Sequence, residues 1–379
     1  MTDTQADCWT LATLDQLAHV GAGNPAPQDK KLFEGGKYPF IRTSDVGQIR
    51  FGEIGTAADL LNEQGAAKLR LVPKGTVLMP KSGASTFLNH RVVTTADAFV
   101  SSHLATITPK DGITDPRYLL YALSQVVAQD LLPENSYPSL NLNLIKTIKI
   151  PLPPLEEQQR IVAVLDEAFE GLARARAHAE ANLQNARELF ESLRFVMLSE
   201  QMEGWETHPL ADCFRLKSGE NLTAKKMVPG PFPVYGGNGI AGTHDACNLS
   251  GDNVIIGRVG ALCGNARYIE HKIWLTDNAF KVVNYKFAFD HRFLAYLLNF
   301  KNLRSLARQA AQPVISNSSL ADLELTFPAS VELQAELANK LSDAETELED
   351  IKKKYETKIQ DLDDLRQSLL QKAFAGELT

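Results

Sequence analysis

The sequence predicts an α+β protein in which two mixed α/β domains are separated by two long antiparallel coiled-coil helices, with a pseudo-twofold internal duplication. Three observations predict this fold. Two long stretches carry an apolar heptad seam, the segments that precede them resemble each other, and each of those segments combines short strand-like runs with one helical pattern. One unit, a globular part followed by a rod-like helix, therefore occurs twice.

The first predicted rod extends from Pro153 to Leu198, and Gly171 is its one glycine. Roughly 40 residues at ~1.5 Å per residue make a helix of about 60 Å. Pro153 and Pro154 exclude helical structure immediately upstream. The predicted seam positions follow each other in steps of four and three: Ile161, Leu165, Ala168, Leu172, Ala175, Ala179, Asn182, Ala186, Leu189, Leu193 and Val196.

The second predicted rod begins at Pro328 and has the same alternation, which is interrupted at Lys358. Its other positions are rich in charge, as the solvated face of a coiled coil should be. The predicted seam consists of Leu337, Leu341, Ala344, Leu348, Ile351, Tyr355, Leu362, Leu365 and Leu369. Because the first rod leads into the second globular part, a second rod that pairs with it must run back, so the helices should be antiparallel.

The globular parts repeat as well. Four residues recur at an offset of 196: Trp9, Leu14, Val20 and Gly23 match Trp205, Leu210, Leu216 and Gly219. Five more recur at an offset of 175: Asp115, Arg117, Tyr118, Leu119 and Tyr121 match Asp290, Arg292, Phe293, Leu294 and Tyr296. The segment LMPKSGAS (78–85) resembles IIGRVGAL (255–262). A period this long indicates a duplicated domain.

Each globular part should contain strands and one helix. Short strand-like runs such as Gly75–Met79 and Val92–Thr94 are separated by glycine turns. Asp115-Pro116 suits the cap and first position of a helix over 116–131, and a second helix is predicted from about Asp290 to Ala310. Residues 11–20 should form a β or turn segment, and extended stretches (144–152 and 319–327) should lead into the rods.

Composition limits the class of protein. A chain of 379 residues is long enough for two or three domains, and it contains no apolar run of transmembrane length. The N-terminus shows no secretory signal, and four scattered cysteines do not make a disulfide framework. A cytoplasmic protein is expected.

The net charge of −7 argues at first against a nucleic-acid partner, but its distribution is uneven. Residues 156–200 hold 9 acidic and 5 basic side chains, and residues 332–379 hold 12 and 7, so the rods carry −9 and the remainder +2. The overall charge therefore describes the rods rather than the globular parts.

The motifs GxxxxGK[ST], HExxH and GxSxG are absent from the sequence. The one GxGxxG match, GNGIAG (237–242), lies among predicted short strands and opens no predicted helix, so it does not indicate a dinucleotide site. His244, Asp245 and Cys247 with Cys263 do not have the spacing of a standard zinc site, and no fourth ligand is evident. Ordinary buried or surface roles are favoured for these residues.

Two glycine-rich segments, YGGNGIAG (235–242) and GRVGALCGN (257–265), allow two interpretations. They are either hairpin turns of a β-rich domain, or loops whose backbone and short polar side chains approach a phosphate or a base edge. The sequence alone does not separate these interpretations, because a turn can also be a contact.

The duplicated frame resembles the specificity subunit of type I restriction-modification enzymes. The resemblance covers essentially the whole chain. It rests on the segments PVYGGNGIAG, GRVGALCGN and LTDNAF (275–280) and on the PPLxEQ motif that opens the first rod: Pro153, Pro154, Leu155, Glu157 and Gln158. The second opening, from Pro328 to Gln334, is one residue longer and lacks the second proline.

The resemblance implies a non-catalytic subunit that recognises a bipartite, asymmetric DNA target. Residues 1–152 and 201–327 would be the two target-recognition domains, and residues 153–200 and 328–379 the spacer helices. The chain itself would hold no cofactor or metal. It would dock two methyltransferase subunits, which bring S-adenosylmethionine, and through them the restriction and translocase subunits, which use ATP and Mg.

Nine residues in polar or glycine-bounded loops are predicted to face DNA, because a rigid scaffold presents such loops. They are Arg42, Thr43, Lys81, Ser82 and Ser85 in the first domain and Tyr235, Asn238, Arg258 and Asn265 in the second. The alternative is that several of them only cap turns. The alternative function is a coiled-coil adaptor with duplicated protein-interaction domains and no DNA binding, which the net charge favours.

Overall fold

The chain divides into two compact units, residues 1–178 with 358–379 and residues 179–357. The computed structural model describes residues 9–132, 137–199, 204–307 and 313–378. Each unit contains one globular part, the beginning of one long helix and the end of the other. None of the helices in these described ranges is both long enough and apolar enough to cross a membrane.

The first globular part and the first long helix contain, in chain order, β1 (Thr10–Thr13), α1 (Leu14–Leu17), β2 (Ala18–Ala22), β3 (Tyr38–Ile41), α2 (Thr43–Ile49), β4 (Phe51–Ile54), β5 (Leu60–Leu61), α3 (Glu63–Ala66), β6 (Val77–Pro80), β7 (Arg91–Thr94), β8 (Phe99–Val100), β9 (Leu104–Pro109), α4 (Pro116–Ser124), α5 (Leu142–Lys146), β10 (Lys149–Leu152) and α6 (Leu155–Ser199). The largest sheet has the order β2-β9-β6-β7-β4, a smaller sheet has the order β5-β3-β8, and β1 pairs with β10. The main core lies where α1, α4 and α5 pack against the larger sheet.

The second globular part and the second long helix contain β11 (Trp205–Pro209), α7 (Leu210–Cys213), β12 (Arg215–Ser218), β13 (Phe232–Gly236), β14 (Gly239–His244), β15 (Asn253–Gly257), β16 (Ala266–Ile269), β17 (Trp274–Leu275), β18 (Ala279–Val283), α8 (His291–Phe300), α9 (Asn317–Leu320), β19 (Glu324–Pro328) and α10 (Val331–Phe374). The sheets have the orders β12-β18-β15-β16 and β14-β13-β17, and β11 pairs with β19. One continuous core joins α8 to the larger sheet and to the first turns of α10.

The predicted duplication is confirmed by the strand pairing. The strand that precedes each globular part pairs antiparallel with the strand that leads into each long helix, β1 with β10 and β11 with β19. A parallel pair recurs in the smaller sheets, β3 with β8 and β13 with β17. Gly23 and Gly219 are also equivalent, since a Cβ at either would lie 2.2 Å from the carbonyl oxygen of Val100 or Leu275.

The two globular parts differ by one strand. Between Ile41 of β3 and Leu60 of β5, unit 1 has 18 residues, which include α2 and β4. Between the equivalent Tyr235 of β13 and Thr243 of β14, unit 2 has only 7 residues and a tight hairpin turn. The 11 extra residues of unit 1 account for about half of the 21-residue drift in the repeat offset from 196 to 175.

A buried glutamine ties each long helix to its globular part. Gln158 is fully buried, and its side chain accepts a hydrogen bond from the Asp115 amide (2.9 Å) and donates to the carbonyls of Ile113 (3.0 Å) and Pro153 (2.9 Å). These three bonds satisfy backbone groups that burial would otherwise leave unpaired. The glutamine of the PPLxEQ motif is therefore a structural clamp.

Gln334 makes the same three bonds in unit 2. It accepts from the Asp290 amide (3.0 Å) and donates to the carbonyls of Ala288 (3.3 Å) and Pro328 (2.8 Å). The clamp is therefore preserved although the second opening is one residue longer and has a different sequence.

The long helices are packed together and run antiparallel. In unit 1, Leu165 of α6 shares an apolar cluster with Leu370 of α10, and Arg176, further along α6, forms an ion pair of 2.7 Å with Asp363. The residue numbers in α10 fall as those in α6 rise. Arg366 of α10 also lies over the Phe169 ring at 4.8 Å.

The predicted heptad seam is wrong at its distal positions. Leu189 is 72% exposed, Val196 44% and Leu365 48%, and Asn182 is exposed as well. The buried side of α6 passes instead through Leu183, which is 9% exposed. A strict 3.5-residue repeat drifts by ~20° per heptad from a straight helix of 3.6 residues per turn. The helices follow the straight period, so positions predicted far from the start of the seam leave it.

The predicted helices of the globular parts begin where expected and end earlier. Asp115 caps α4 by accepting from the amides of Arg117 (2.8 Å) and Tyr118 (3.0 Å), and Pro116 is its first residue. α4 ends at Ser124 rather than at 131, and a separate 3-10 turn covers Ala128–Leu131.

α8 likewise ends early, at Phe300, because Asn302 adopts a left-handed conformation (φ 47°) that stops the helix. Residues 308–310 of the predicted helix lie outside the described residues. The predicted extended stretches before the rods each contain a short helix, α5 or α9, before their strand.

Candidate nucleic-acid interface

Three segments of unit 1 meet at one place: the end of β3, the loop after β6 and the short segment Ser101–His103. The Ser101 amide donates to the carbonyl of Ile41, the last residue of β3, at 2.9 Å. The Lys81 amide, just after β6, donates to the His103 carbonyl at 3.0 Å. Ser101–His103 therefore holds the other two segments side by side.

The same three segments meet in unit 2. The Thr276 amide donates to the Tyr235 carbonyl at 2.9 Å, and the Arg258 amide donates to the Asn278 carbonyl at 2.9 Å. Thr276–Asn278 belongs to the LTDNAF segment and takes the place of Ser101–His103. Lys81 and Arg258 are therefore at equivalent positions, each directly after a central strand of the larger sheet.

A further backbone bond fixes each basic residue. The Lys81 carbonyl accepts from the Leu140 amide at 2.8 Å, and the Arg258 carbonyl accepts from the Ile315 amide at 3.0 Å. With both of its own backbone polar groups bonded, each residue presents a basic side chain from a fixed point. Among the described residues, Lys81 makes no ion pair.

Lys81, Ser82 and Ser85 lie together in the loop that follows β6. The Ser82 hydroxyl lies 2.7 Å from His103 Nδ1, and the Ser85 hydroxyl donates to the Ser82 carbonyl at 3.5 Å. All three side chains are partly exposed. Ser82 and Ser85 thus have local turn contacts and still reach the surface.

Arg42 and Thr43 lie at the end of β3, next to this loop. Asp45 accepts from the Arg42 amide at 2.7 Å, which caps α2, and Thr43 is the first residue of that helix. The Arg42 guanidinium pairs with Asp59 at 2.5 Å and lies over the Phe40 ring at 5.1 Å. Arg42 therefore has a structural role in addition to the predicted contact with DNA.

In unit 2 the glycines are explained by the close approach of two backbones. A Cβ at Gly237 would lie 1.8 Å from the Val259 carbonyl oxygen, and one at Gly257 would lie 2.4 Å from the Gly237 carbonyl oxygen. Gly260 has a φ of +102°, which favours glycine. The two glycine-rich segments thus pack directly on each other, and side chains at these positions would separate them.

Asn238 joins the same two segments, since its side-chain oxygen accepts from the Leu262 amide at 3.0 Å. Asn238 and Asn265 are both exposed. Arg258 is half-buried: its guanidinium lies over the Phe280 ring at 5.4 Å and donates to the Asp277 carbonyl at 3.4 Å. Asn238, Arg258 and Asn265 therefore lie in one surface region.

Tyr235 is the most enclosed of the nine candidates, with 8% of its surface exposed. Its ring packs in an apolar cluster with Ile255 and Leu275. Only a small edge of the Tyr235 side chain is therefore available for contact with DNA.

The segment that holds each site together was not predicted from the sequence. His103, Asp277 and Asn278 were not among the candidates, although LTDNAF was one of the segments that carried the family resemblance. In unit 1 the equivalent segment reads VSSHLA (100–105), so the two copies share too little sequence to indicate a common role.

Two of the four residues considered for a zinc site, His244 and Cys263, have structural roles. His244 Nδ1 accepts from the Val228 amide at 3.1 Å, and its ring packs edge-on against Trp274. Cys263 is buried, and burial raises the pKa of its thiol. Within the described ranges, no three His, Cys, Asp or Glu side chains are grouped so that they could hold a metal ion.

Comparison with known proteins agrees with this architecture. The family described as type I restriction modification DNA specificity domain matches residues 7–178 and 202–360. The specificity subunit of the Escherichia coli type I restriction enzyme EcoprrI is 24% identical over 343 residues, 83% of this chain and 82% of that protein. The specificity subunit of the type I enzyme MjaIX from Methanocaldococcus jannaschii is 24% identical over 239 residues, 58% of this chain and 54% of that one.

Solved structures share the fold. A chain from a study of complex assembly and conformational transition of the type I R-M system has a TM-score of 0.79 and 16% identity, and the match covers 98% of both chains. The HsdS subunit from Thermoanaerobacter tengcongensis has a TM-score of 0.61 and 16% identity, with 98% of this chain and 97% of that chain covered.

The family match covers both globular parts and most of both long helices, and it confirms the predicted resemblance. Specificity subunits are the non-catalytic components of type I systems, so the prediction of a chain without catalysis of its own is confirmed by the family. The chain belongs to the type I restriction modification DNA specificity family and is the DNA specificity subunit of a type I restriction-modification complex.

Proposed function

We propose that the two loop regions around Lys81 and Arg258 read the two halves of a bipartite, asymmetric DNA target. Residues 1–152 and 201–327 act as the target-recognition domains, and residues 153–200 and 328–379 act as spacer helices. The observation that carries the proposal is the equivalent placement of Lys81 and Arg258 on one backbone frame that occurs twice. A basic side chain at a fixed point suits either a phosphate or a guanine edge.

Differences between the loops support two unlike half-sites. Next to Lys81, unit 1 has α2 with Arg42 and Thr43 at its start; next to Arg258, unit 2 has a glycine hairpin with Asn238 at its tip. Side chains that differ in donors and acceptors select different base edges. We therefore expect a target that is not a palindrome.

Charge distribution is compatible with this assignment. The rods carry −9 and the rest of the chain carries +2, so repulsion from the phosphate backbone is concentrated on the helices. Phosphate contacts then set the register while a few side chains read bases.

We further propose that the exposed faces of α6 and α10 dock two methyltransferase subunits. Those subunits bring S-adenosylmethionine, and through them the restriction and translocase subunits bring ATP and Mg; the complex acts in the cytoplasm. Apolar side chains outside the packed face of the helices support a docking surface: Val164 is 40% exposed, Leu189 72%, Phe195 61% and Leu365 48%.

The docking proposal is tested by Leu189→Glu and Leu365→Glu, and by charge reversal at the exposed Glu347 and Asp350. Each change should reduce co-purification with the methyltransferase while the melting temperature of the free chain stays unchanged. Asp111→Lys, an exposed change in the globular part of unit 1, is the matched control. Unchanged co-purification across all the helix variants would refute the docking surface.

DNA recognition is tested by mobility shift with random-sequence duplexes, in the presence of the methyltransferase and at low salt, where phosphate contacts are strongest. Lys81→Ala and Arg258→Ala should each weaken DNA binding. If the side chain contacts a base, the loss should be ~1–3 kcal/mol; if it contacts a phosphate, the slope of log affinity against log salt concentration should fall by about one. Lys68→Ala, exposed in unit 1 outside the loop region, should change neither. Absence of any binding at low salt would support the adaptor alternative instead.

A further inference from the structure

One edge of the larger sheet in unit 2 lacks the strand that covers it in unit 1. In unit 1, β4 pairs parallel with β7, with Phe51 opposite Arg91 and Glu53 opposite Val93. In unit 2, β16 takes the place of β7, because Ala266 and Tyr268 are at an offset of 175 from Arg91 and Val93. Among the described residues, no strand pairs with the outer edge of β16.

Hydrogen bonds show which groups pair with the outward backbone amides and carbonyls of this edge. In unit 1 the Arg91 amide donates to the Arg50 carbonyl at 2.9 Å. In unit 2 the Ala266 amide donates instead to the Asn299 side-chain oxygen at 2.8 Å, and the Asn299 side chain donates back to the Ala266 carbonyl at 2.9 Å. An asparagine side chain thus replaces one residue of the missing strand.

The next residue on the same edge is Tyr268. The Gly257 amide donates to the Asn265 carbonyl at 2.9 Å, so the odd-numbered residues of β16 bond to β15. Antiparallel ladders alternate, and the amide and carbonyl of Tyr268 therefore point outward, as those of Ala266 do. An unpaired outward edge of this kind is a template for another strand.

The side chains that contact β4 in unit 1 have equivalents next to the open edge of β16 in unit 2. Phe51 stacks on Tyr121 with ring centroids 5.6 Å apart, and Glu53 lies 3.7 Å from Arg117. The equivalents of Tyr121 and Arg117 in unit 2 are Tyr296 and Arg292.

Tyr296 and Arg292 line a cavity of about 410 Å³ together with Tyr268 and Arg267 of β16. The cavity therefore combines an aromatic surface, an open strand edge, two cations and the Glu345 carboxylate, which accepts from the Tyr296 hydroxyl at 2.7 Å. In unit 1 the same combination, apart from the second cation, is filled by the chain's own β4.

We propose that the outer edge of β16 binds an extended segment of a protein partner as an added parallel strand, with an aromatic residue two positions before an acidic one. The Asn299 side chain moves away from Ala266, so that the Ala266 amide is free to bond the added strand, as the Arg91 amide bonds Arg50 in unit 1.

The aromatic side chain then takes the place of Phe51 and packs on Tyr296, and the carboxylate takes the place of Glu53 and pairs with Arg292. Strand addition of this kind gives affinity through main-chain bonds and selectivity through alternate side chains. The proposal does not depend on which DNA sequence the chain recognises.

The test uses the full chain and a fluorescein-labelled peptide with the sequence of residues 48–55, QIRFGEIG, which contains β4. Fluorescence anisotropy should show saturable binding. N-methylation of the peptide at the position of Ile54 removes the donor to the Tyr268 carbonyl, because Ile54 faces β7 in unit 1, where the Thr95 amide donates to its carbonyl at 2.9 Å. This peptide should bind at least about tenfold more weakly. N-methylation at the position of Glu53, which faces away, is the matched control and should leave binding unchanged.

A charge swap tests the side-chain contact. Arg292→Glu should weaken the original peptide at least about tenfold and should restore binding of a peptide with lysine in place of its glutamate. Arg215→Glu, exposed on β12 at the opposite edge of the same sheet, should change neither. If Arg292→Glu disturbs folding, as judged by the melting temperature, Arg292→Gln is used instead. Arg292→Gln should weaken binding of the original peptide and should not restore binding of the lysine peptide.

Two results would overturn the proposal: no saturable peptide binding, or binding that is equally sensitive to both N-methyl groups. Binding of a DNA duplex that is lost in the Arg292 variants, without any peptide binding, would assign the edge to DNA and would overturn it as well.

Discussion

The two units share the parts that hold the backbone and differ in the parts that face outward. Gln158 and Gln334 make three equivalent hydrogen bonds, and Lys81 and Arg258 bond to equivalent backbone groups. By contrast, α2 and β4 exist only in unit 1, and a glycine hairpin replaces them in unit 2. A frame tied by buried polar groups thus supports unlike loops, as the proposed recognition of two different half-sites requires.

The largest expected effect concerns the separation of the half-sites. Four residues are added to α6 between Ala175 and Ala179, and four to α10 next to Asp363, the ion-pair partner of Arg176. At ~1.5 Å per residue each helix lengthens by about 6 Å, or about two base pairs at ~3.4 Å each. Methylation of a DNA library with randomised gaps should shift to a gap about two base pairs longer, with both half-site sequences unchanged.

Lengthening only one helix is the control, because the two packed faces then lose register and activity should fall at every gap. If the matched insertion leaves the preferred gap unchanged while activity survives, the helices do not measure the spacing.

The next largest effect is expected at the two buried glutamine clamps, Gln158 and Gln334. Gln158→Leu leaves the Asp115 amide and two carbonyls without partners, which should cost about 3 kcal/mol of unfolding free energy. Gln334→Leu should cost the same in unit 2. Gln159→Leu, at an exposed neighbouring position, should cost little. Urea unfolding checks these values, and a loss confined to one clamp would mean that the two units are not equivalent frames.

Among the described residues, both buried cysteines, Cys213 and Cys263, lie in unit 2, and their thiols report on that unit. Burial, with a smaller contribution from Asp212, raises the pKa of Cys213 to about 11 from an ordinary value of 9.0. Below pH 9 the folded thiol stays neutral and unreactive, and the stability it supports is lost as the pH rises from 9 towards 11.

In a Cys8→Ser background, alkylation followed by mass spectrometry at pH 8 should modify the half-exposed Cys247 before Cys213. Gln334→Leu should accelerate modification of Cys213 more than Gln158→Leu does. Equal acceleration by both variants would show that the units open together rather than separately.

The smallest effects are expected at the helix caps. Asp115→Ala and Asp290→Ala should each cost ~1 kcal/mol, because Asp115 caps α4 and Asp290 caps α8 in the same way. Asp115→Asn and Asp290→Asn should recover most of the loss. Thermal melts of the four variants check this, and a cost in only one unit would limit the equivalence to the clamp.

The rods and the duplication were predictable because their signals are local or periodic. Asp115-Pro116 marked the start of α4 for the same reason. The seam was predicted less well: a heptad template places Leu189 and Leu365 inside, whereas straight helices turn them outward. A small error in the assumed number of residues per turn accumulates along a helix of this length.

β4 was not predictable from its own sequence. Phe51–Ile54 contains Gly52 and Glu53, and its pairing with β7 is parallel and distant in the chain. That the nine loop residues face DNA stays a prediction. The sequence did not indicate that His103 and Asn278 join the candidate loops of each unit, because they do so through backbone atoms. A hydrogen bond between a backbone amide and a backbone carbonyl does not depend on the type of side chain, so the sequence does not show these bonds.

The central claim is that each unit reads its own half of one DNA target. After the target is identified by methylome sequencing, Lys81 and Arg258 are each replaced by p-benzoylphenylalanine, and the assembled methyltransferase complex is irradiated on that DNA. The account predicts that position 81 crosslinks to one half-site and position 258 to the other. Crosslinks from both positions to the same half-site, or none from either, would contradict it.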